Sequence, residues 1–384
     1  MSPSTRGQTL AVPGVLRRLN ERKIMEALIH LGPSSRAALN RHTHISPPTV
    51  SKTITALVEA GLVEELQQHD NSTGRPGRLY ALASRHSRIL GLAIDGESCW
   101  FCASGVDLQT HGEPSARMPM PSTYDELLDL ALTQLEPLTQ GPSRTLGLGV
   151  CIATAMDPTD GRVQACPALT FLEGRTPAAD LQARLGLPTS LSRLVDGLCL
   201  AETRSQPHAG APTTCALLDL TAEPTVSLCA QGQLVPLSSG RGGGFGRIPL
   251  TPAGSSGRHL ADCVSDDAFA RRLDPRADHD TANLTHRLAQ MASGDGFAAK
   301  DLAPLLDDLA AAAATVAHLF APEVLVLRSR LLTAHPDGLQ RVAAHVQGEL
   351  GDTVTLRQAQ MDPAQASLAS FVYHLASALG PSVS

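Results

Sequence analysis

Four stretches of this chain carry residue types that do chemistry at a fixed spacing. From residue 34 to 58, Ser35, Ser46, Thr49, Ser51 and Thr55 supply hydroxyls and Arg36 and Lys52 supply cations, with Pro48 among them and no carboxylate before Glu59. Hydroxyls and an ammonium on a protruding helix hydrogen-bond base edges and phosphates in the DNA major groove. Further on, Gly74-Arg75-Pro76-Gly77-Arg78 offers Arg75 and Arg78 on a backbone that Pro stiffens and Gly frees. That suits a narrow minor groove, whose negative potential attracts guanidinium, with a solvated hairpin tip as the plainer alternative when the stretch is taken alone. Cys99-Trp-Phe-Cys102 has the spacing of redox motifs but sits in an apolar run with no second pair, so reduced core thiols are expected there and at the other six cysteines. Residues 239–247, SGRGGGFGR, are glycine-rich like a phosphate loop. No G-K-[ST] or G-x-G-x-x-G frame accompanies them, and a flexible loop is the expectation.

The candidate DNA-reading groups need elements that bury one side and free the other. Ser34 or Ser35 is placed to N-cap a helix over Arg36 to Arg41 with Ala37, Ala38 and Leu39 inward. Thr43 to Ser46 make a turn, and Ser46 caps a second helix whose first turn holds Pro47 and Pro48, where a missing N–H is harmless. Val50, Ile54, Leu57 and Val58 recur at i, i+4, i+7 and i+8, an apolar stripe that leaves Pro48, Thr49, Ser51, Lys52 and Thr55 outside; Gly61 ends the helix. Leu16, Leu19, Ile24, Leu28 and Leu31 mark an earlier helix of roughly 15 residues, stopping at Gly32-Pro33 and packing on the pair. Val63 to Leu66 and Leu79 to Leu82 are β-prone runs around the polar loop QQHDNSTGRPGR, the layout of a wing. Residues 1–13, rich in Ser, Thr, Gly and Pro, are expected as a disordered arm.

Charge divides the chain at the same place. Residues 1–88 hold 12 Lys and Arg against 6 Asp and Glu, whereas the remainder holds 19 against 31. A basic segment on an acidic body suits a polyanion-binding module whose body avoids polyanions. With 384 residues, 42% of them apolar and 18% charged, the chain suggests two or three globular domains. The first 20 residues lack a signal-peptide core and no stretch approaches 18 uninterrupted apolar residues, so no membrane association and a cytoplasmic location are expected.

After residue 88 short apolar runs at Ile89–Ile94, Leu146–Ile152, Ala216–Leu220, Val226–Ala230 and Val324–Leu327 alternate with helical stretches such as Tyr124–Leu138, Thr176–Leu185 and Leu302–Leu319. Strands interleaved with helices imply an α/β body.

Both parts together resemble the ROK family (repressors, open reading frames and sugar kinases), in its repressor branch. GPSSRAALNRHTHISPPTVSKTITALVEAGLVEE with GRPGRLYAL is similar to that branch's winged helix and wing. In the body, ILGLAIDGES, MDPTDGRV, LVDGLCLAE, QGQL and APEVLVLRSRL stand at the family's phosphate, sugar-side, catalytic, pre-loop and nucleotide-side segments. The resemblance spans about residues 14 to 380 and implies an N-terminal winged helix-turn-helix (14–88) ahead of a two-lobed actin-like, ribonuclease H-like sugar-kinase body. Its lobes would be 89–205 and 206–384, with a C-terminal helix returning to the first.

The same frame implies lost catalysis. The kinases' Asn-Asp pair, whose Asp is the general base for phosphoryl transfer, falls on Arg193-Leu194, and Leu accepts no proton. The glycine-rich phosphate loop falls on Thr221–Ser227, TAEPTVS, without a glycine for close backbone approach, and the late Gly-Gly pair falls on Arg328-Ser329. The E-x-G-H motif falls on Gly244 to Arg247, the sugar-side Asn on Ala168, and the cysteine-rich zinc loop keeps only His259 and Cys263, too few for a structural site. No catalytic residue, cofactor or metal is therefore expected. Arg193, Asp196, Arg247 and His259 remain as cleft groups for a small-molecule effector, acidic if the two Arg are free; a salt bridge from them to Asp196 or Glu202 is the plainer alternative. The expected protein is a homo-dimeric or tetrameric transcriptional regulator, a repressor reading an inverted-repeat operator in double-stranded DNA. The competing reading is a divergent sugar kinase fused to a DNA-binding head.

Overall fold

Pro13 opens the first helix of the computed structural model, which describes residues 13–66, 78–108, 115–157, 159–166, 168–205, 213–221, 223–236, 242–248, 259–273, 299–335 and 337–378. The proposed arm up to residue 12 and most of the wing loop, Arg75 included, lie outside the described residues. So do residues 239–241 of the glycine-rich stretch and the start of the degenerate zinc loop.

The head comprises α1 (Pro13–Leu31), α2 (Arg36–Thr43), α3 (Pro47–Glu59) and a small antiparallel sheet of β1 (Ser34–Ser35), β3 (Leu79–Leu82) and β2 (Val63–Leu66). Helix α1 runs 19 residues, longer than the leucine spacing suggests, and its first leucine, Leu16, is exposed. Ser35 caps α2 by accepting a hydrogen bond from Ala38 N at 3.2 Å. Two features differ from expectation. Ala37 faces solvent rather than inward, and on α3 the buried residues are Val50, Thr53, Ile54 and Leu57 while Val58 is exposed. At 3.6 residues per turn these four buried residues span about 100° of the helix, and Val58 falls roughly 40° beyond that arc.

Each lobe of the body repeats one sheet plan. In the first, β4 (Ser87–Ile94), β5 (Ser98–Ser104), β6 (Ala116–Pro119), β7 (Arg144–Ile152) and β10 (Thr189–Arg193) lie in the order β6-β5-β4-β7-β10. In the second, β11 (Thr214–Asp219), β12 (Thr225–Ala230), β13 (Gln233–Leu234), β14 (Val324–Arg328) and β15 (Thr355–Gln358) lie as β13-β12-β11-β14-β15. Numbered within each lobe, both read 3-2-1-4-5, with strand 2 antiparallel to both its neighbours and strands 1, 3, 4 and 5 running in one direction. Between β7 and β10 the short pair β8 (Ala155–Met156) and β9 (Val163–Ala165) precedes α5 (Pro177–Leu185).

The other helices close the layers: α4 (Tyr124–Thr139), α6 (Leu194–Arg204), α7 (Ala261–Val264), α8 (Asp266–Leu273), α9 (Ala299–Phe320), α10 (Arg330–Ala334), α11 (Gly338–Leu350) and α12 (Pro363–Ala378). Among the described residues one stretch, Ala303–Phe320 of α9, is long and apolar enough to cross a membrane; its Leu305, Leu309, Ala312, Ala313 and Val316 are buried in the second lobe's core.

Helix α12, last in sequence, packs on β4, β7 and β10 of the first lobe and on α6. Glycine makes that approach feasible: a Cβ on Gly149 of β7 would stand 2.2 Å from Ser367 O, and one on Gly197 of α6 2.6 Å from Ala366 O. Buried Glu202 fixes the entry to α12, accepting from Gln360 N at 2.6 Å and Met361 N at 2.7 Å while its other oxygen pairs with Arg357 of β15. One apolar cluster then runs without a break from the head (Ile24, Met25, Leu28, Leu39, Ile54, Leu57, Tyr80) into the body (Ile89, Val106, Leu368, Phe371, Val372). Head and first lobe therefore share a core.

Candidate nucleic-acid interface and body cleft

On the head, the turn before α3 is fixed by side chains that sequence spacing did not single out. His44 adopts a left-handed backbone (φ 56°), Thr43 Oγ1 donates to Leu39 O at 2.7 Å, and the Asn40 amide donates to Ile45 O. A short polar side chain bonding the local backbone is the one advance signal for such a turn. Helix α3 is thereby presented N-terminus outward. Ser46, Pro48, Lys52 and Thr55 are exposed and Thr49 and Ser51 half-buried. Ser46 is the N-cap residue, but its hydroxyl bonds Thr49 Oγ1 at 2.9 Å instead of a backbone N–H, and Thr55 donates to Ser51 O at 3.0 Å.

The remaining head residues divide by role. Ser35 is committed to its cap, Arg36 is exposed with its guanidinium 5.0 Å over the Tyr80 ring, and Arg78 is exposed and paired with Glu65 at 3.1 Å across the base of the hairpin. The candidate groups are thus α3 hydroxyls, Lys52 and the guanidinium groups of Arg36 and Arg78, types that can donate to phosphates and base edges.

In the body, besides the Glu202–Arg357 pair, polar side chains join the two lobes on two sides of the cleft. On one side Arg193, the last residue of β10, grips Asp196 of α6 with two bonds of 2.8 and 2.7 Å, and the same carboxylate accepts from Ser227 of β12 at 2.7 Å. The Arg193 Nη1 atom is buried without a protein partner among the described residues. On the other side Arg330 reaches Glu97, in the β4–β5 turn, at 2.5 Å and lies 3.7 Å from Asp266. Burial pushes the Asp266 carboxyl up to about 7 despite Arg330 and Ser329 beside it. Next to it the Arg328 Nη1 atom donates to Asp219 and to Thr221 Oγ1, both at 2.8 Å, pinning the β11–β12 connection.

The four sequence-predicted effector residues do not gather into one network. Arg193 and Asp196 pair with each other. Arg247 is exposed, 4.0 Å from Glu223, and His259 is exposed, 3.7 Å from Asp262. Leu194 is buried at the first position of α6, and Ala168 is exposed.

The cysteine pair is inert by geometry. Residues three apart on a strand point to opposite faces, so Cys99 and Cys102 belong to different apolar clusters, and burial pushes both thiols up to about 12. All eight cysteines are buried and unbridged.

Residues 89–372 match the ROK family. The chain belongs to the ROK family. Among the curated proteins it resembles, the transcriptional regulator Rv0485 of Mycobacterium tuberculosis is 27% identical over 334 residues, covering 82% of this chain and 75% of that protein. The DNA-binding transcriptional dual regulator NagC of Escherichia coli K12 is 20% identical over 248 residues, 62% of this chain and 59% of NagC. A ROK family transcriptional regulator, homologue of the E. coli MLC protein, superposes with a TM-score of 0.75 at 17% identity over 95% of this chain and 98% of its own. A ROK family glucokinase from Streptomyces griseus superposes at 0.62 and 15% identity, covering 76% of this chain and 99% of its own. The two-lobed body is the ROK sugar-kinase-like fold.

Proposed function

We propose that this ROK protein is a sequence-specific DNA-binding transcriptional regulator, acting as a repressor in the cytoplasm. It reads an inverted-repeat operator as a homo-dimer or tetramer through the α3 face and the wing. The observation that carries this reading is α3 itself: a mostly aliphatic inner arc, and an outer N-terminal face bearing Thr49, Ser51, Lys52 and Thr55 with no carboxylate until the last helical residue, Glu59. A negatively charged groove tolerates such a face and rejects one with early Glu or Asp. Relatives that span most of the chain carry the name transcriptional regulator, which supports the same reading.

The body is proposed to lack kinase activity and to serve assembly and effector sensing. In-line transfer needs a base at the sugar hydroxyl and close backbone N–H groups at the phosphates. In the frame the resemblance implies, the base position falls on buried Leu194 and the phosphate segment on Thr221, which bonds Asp219 and Arg328, and this supports the reading. Arg193, Asp196, Arg247 and His259 stay the proposed contacts for a sugar-derived or acidic metabolite. With Arg193 already neutralised, its unpartnered Nη1 is the donor on offer.

The deciding experiment is in vitro selection of random duplexes by the full chain, followed by footprinting on its own genome. Enrichment of an inverted repeat is the expected result; recovery of unrelated duplexes with no shared motif would sink the reading.

A further inference from the structure

Helix α1 is held from two directions. Its apolar side, Ile24, Met25, Ala27 and Leu28, lies in the cluster that continues through Leu368 and Val372 of α12 into the first lobe. Its polar side carries Arg22 and Glu26, an i,i+4 pair at 2.7 Å that encloses the side-chain amide of Gln233. Arg22 Nη2 donates to Gln233 Oε1 at 2.9 Å, and Gln233 Nε2 donates to Glu26 Oε1 at 2.8 Å. Gln233 lies on β13, the edge strand of the second lobe's sheet. The head is thereby attached to both lobes.

The strand that anchors Gln233 also lines the interlobe contact. In the β12–β13 hairpin Ala230 pairs with Gln233 and Cys229 with Leu234, around a turn that places Gln231 and Gly232 in left-handed backbone (φ 52° and 75°). Three residues back from Ala230, buried Ser227 donates to Asp196, which Arg193 holds from behind. One short, two-stranded element thus has the first lobe's carboxylate at one end and the head's first helix at the other.

We propose that the β12–β13 hairpin transmits the state of the interlobe contact to the DNA-binding head, through Ser227 at the cleft and Gln233 at α1. The two attachments of α1 respond differently to lobe movement. An apolar interface is non-directional and tolerates small shifts, whereas paired amide bonds fail once donor and acceptor separate by more than about an ångström or tilt far from linear. Whatever draws Ser227 off Asp196 moves the hairpin with the second lobe, and Gln233 then leaves Arg22 and Glu26 while α1 stays on α12. The head exchanges a fixed orientation for a freer one.

Hydrogen exchange on the full-length chain, without DNA or effector, tests this. Ser227→Ala is expected to speed exchange of the α1 amides about threefold or more, Gln233→Ala to do the same, and the double variant to add nothing further. Gln233→Glu, which sets a second carboxylate against Glu26, should act like Gln233→Ala. Helix α11, remote on the second lobe, should exchange as in the unaltered chain. Unchanged α1 exchange in Ser227→Ala, additive effects in the double variant, or equal acceleration in α11 would each overturn the proposal. The readout needs no DNA, so its failure leaves the regulator reading untouched, and absence of DNA binding would leave this coupling standing.

Discussion

Arg330 of the second lobe lies 2.5 Å from Glu97 of the first, so an ion pair bridges the two lobes. Both side chains are largely shielded, at 20% and 28% exposure, and Arg330 also faces the fully buried Asp266. An entering phosphate would have to displace Glu97 and face Asp219 and Asp266 at close range. Calorimetry with ATP and magnesium is expected to give no binding heat, for the full chain and for Glu97→Gln alike. Heat that follows a single-site isotherm would refute the inactive-body reading.

On the head, Lys52→Ala is expected to weaken operator binding and, if Lys52 meets a base edge, to relax preference at one position by about 1–3 kcal/mol. Arg78→Ala should weaken binding less, because Arg78 already shares its charge with exposed Glu65; Arg75→Ala should act most where the flank is A·T-rich. Fluorescence anisotropy at fixed salt reads all three. Unaltered affinity in every variant would mean that α3 and the wing are not the docking face.

One α3 covers one half-site, so two copies should sit on one face of the duplex with half-sites near whole turns apart, about 10 base pairs or a multiple. Mass photometry is expected to show dimer or tetramer. A monomer that binds a lone half-site at full strength would count against the assembly.

Asp266 gives stability a pH dependence of unusual sign for a carboxylate. Its folded value, about 7, exceeds the ordinary one because burial outweighs Arg330, so the folded state binds more protons between about 4 and 7. This stabilising contribution is complete below the unfolded value and disappears as pH rises through about 7. In urea titrations the stability of the unaltered chain relative to Asp266→Asn should therefore fall from pH 5 to pH 8. A difference that stays flat, or rises, would show that the carboxylate is ionised throughout.

Gly149→Ala tests the close approach of α12. The added Cβ would stand 2.2 Å from the Ser367 carbonyl oxygen, which has no flexible end to swing away. Overpacking of this kind costs about 1–3 kcal/mol or more, and the melting temperature should drop by several degrees. Gly174→Ala makes a useful contrast: space there is open, and only its positive φ of 74° opposes the change. Equal melting temperatures for Gly149→Ala and the unaltered chain would mean that α12 sits farther from β7.

The amino-acid sequence by itself determined the elements that rest on local periodicity. The helices α2 and α3, the two hairpin strands at Val63–Leu66 and Leu79–Leu82, and the five apolar body strands all lie where spacing put them. Finer angular questions were less legible: Val58 lies just outside the arc that α1 and the sheet cover, because neighbouring elements, not the helix, set where the stripe ends. Only the tertiary structure decided the partners of the charged residues. Arg193 finds Asp196, three residues away, but Arg330 finds Glu97, Arg357 finds Glu202, and Gln233 finds Arg22 and Glu26, partners 155 or more residues distant along the chain. Those pairings follow from how two lobes and a head dock around α12. A side chain's reach spans a few ångströms, and which groups fall inside it is settled by packing rather than by separation along the chain.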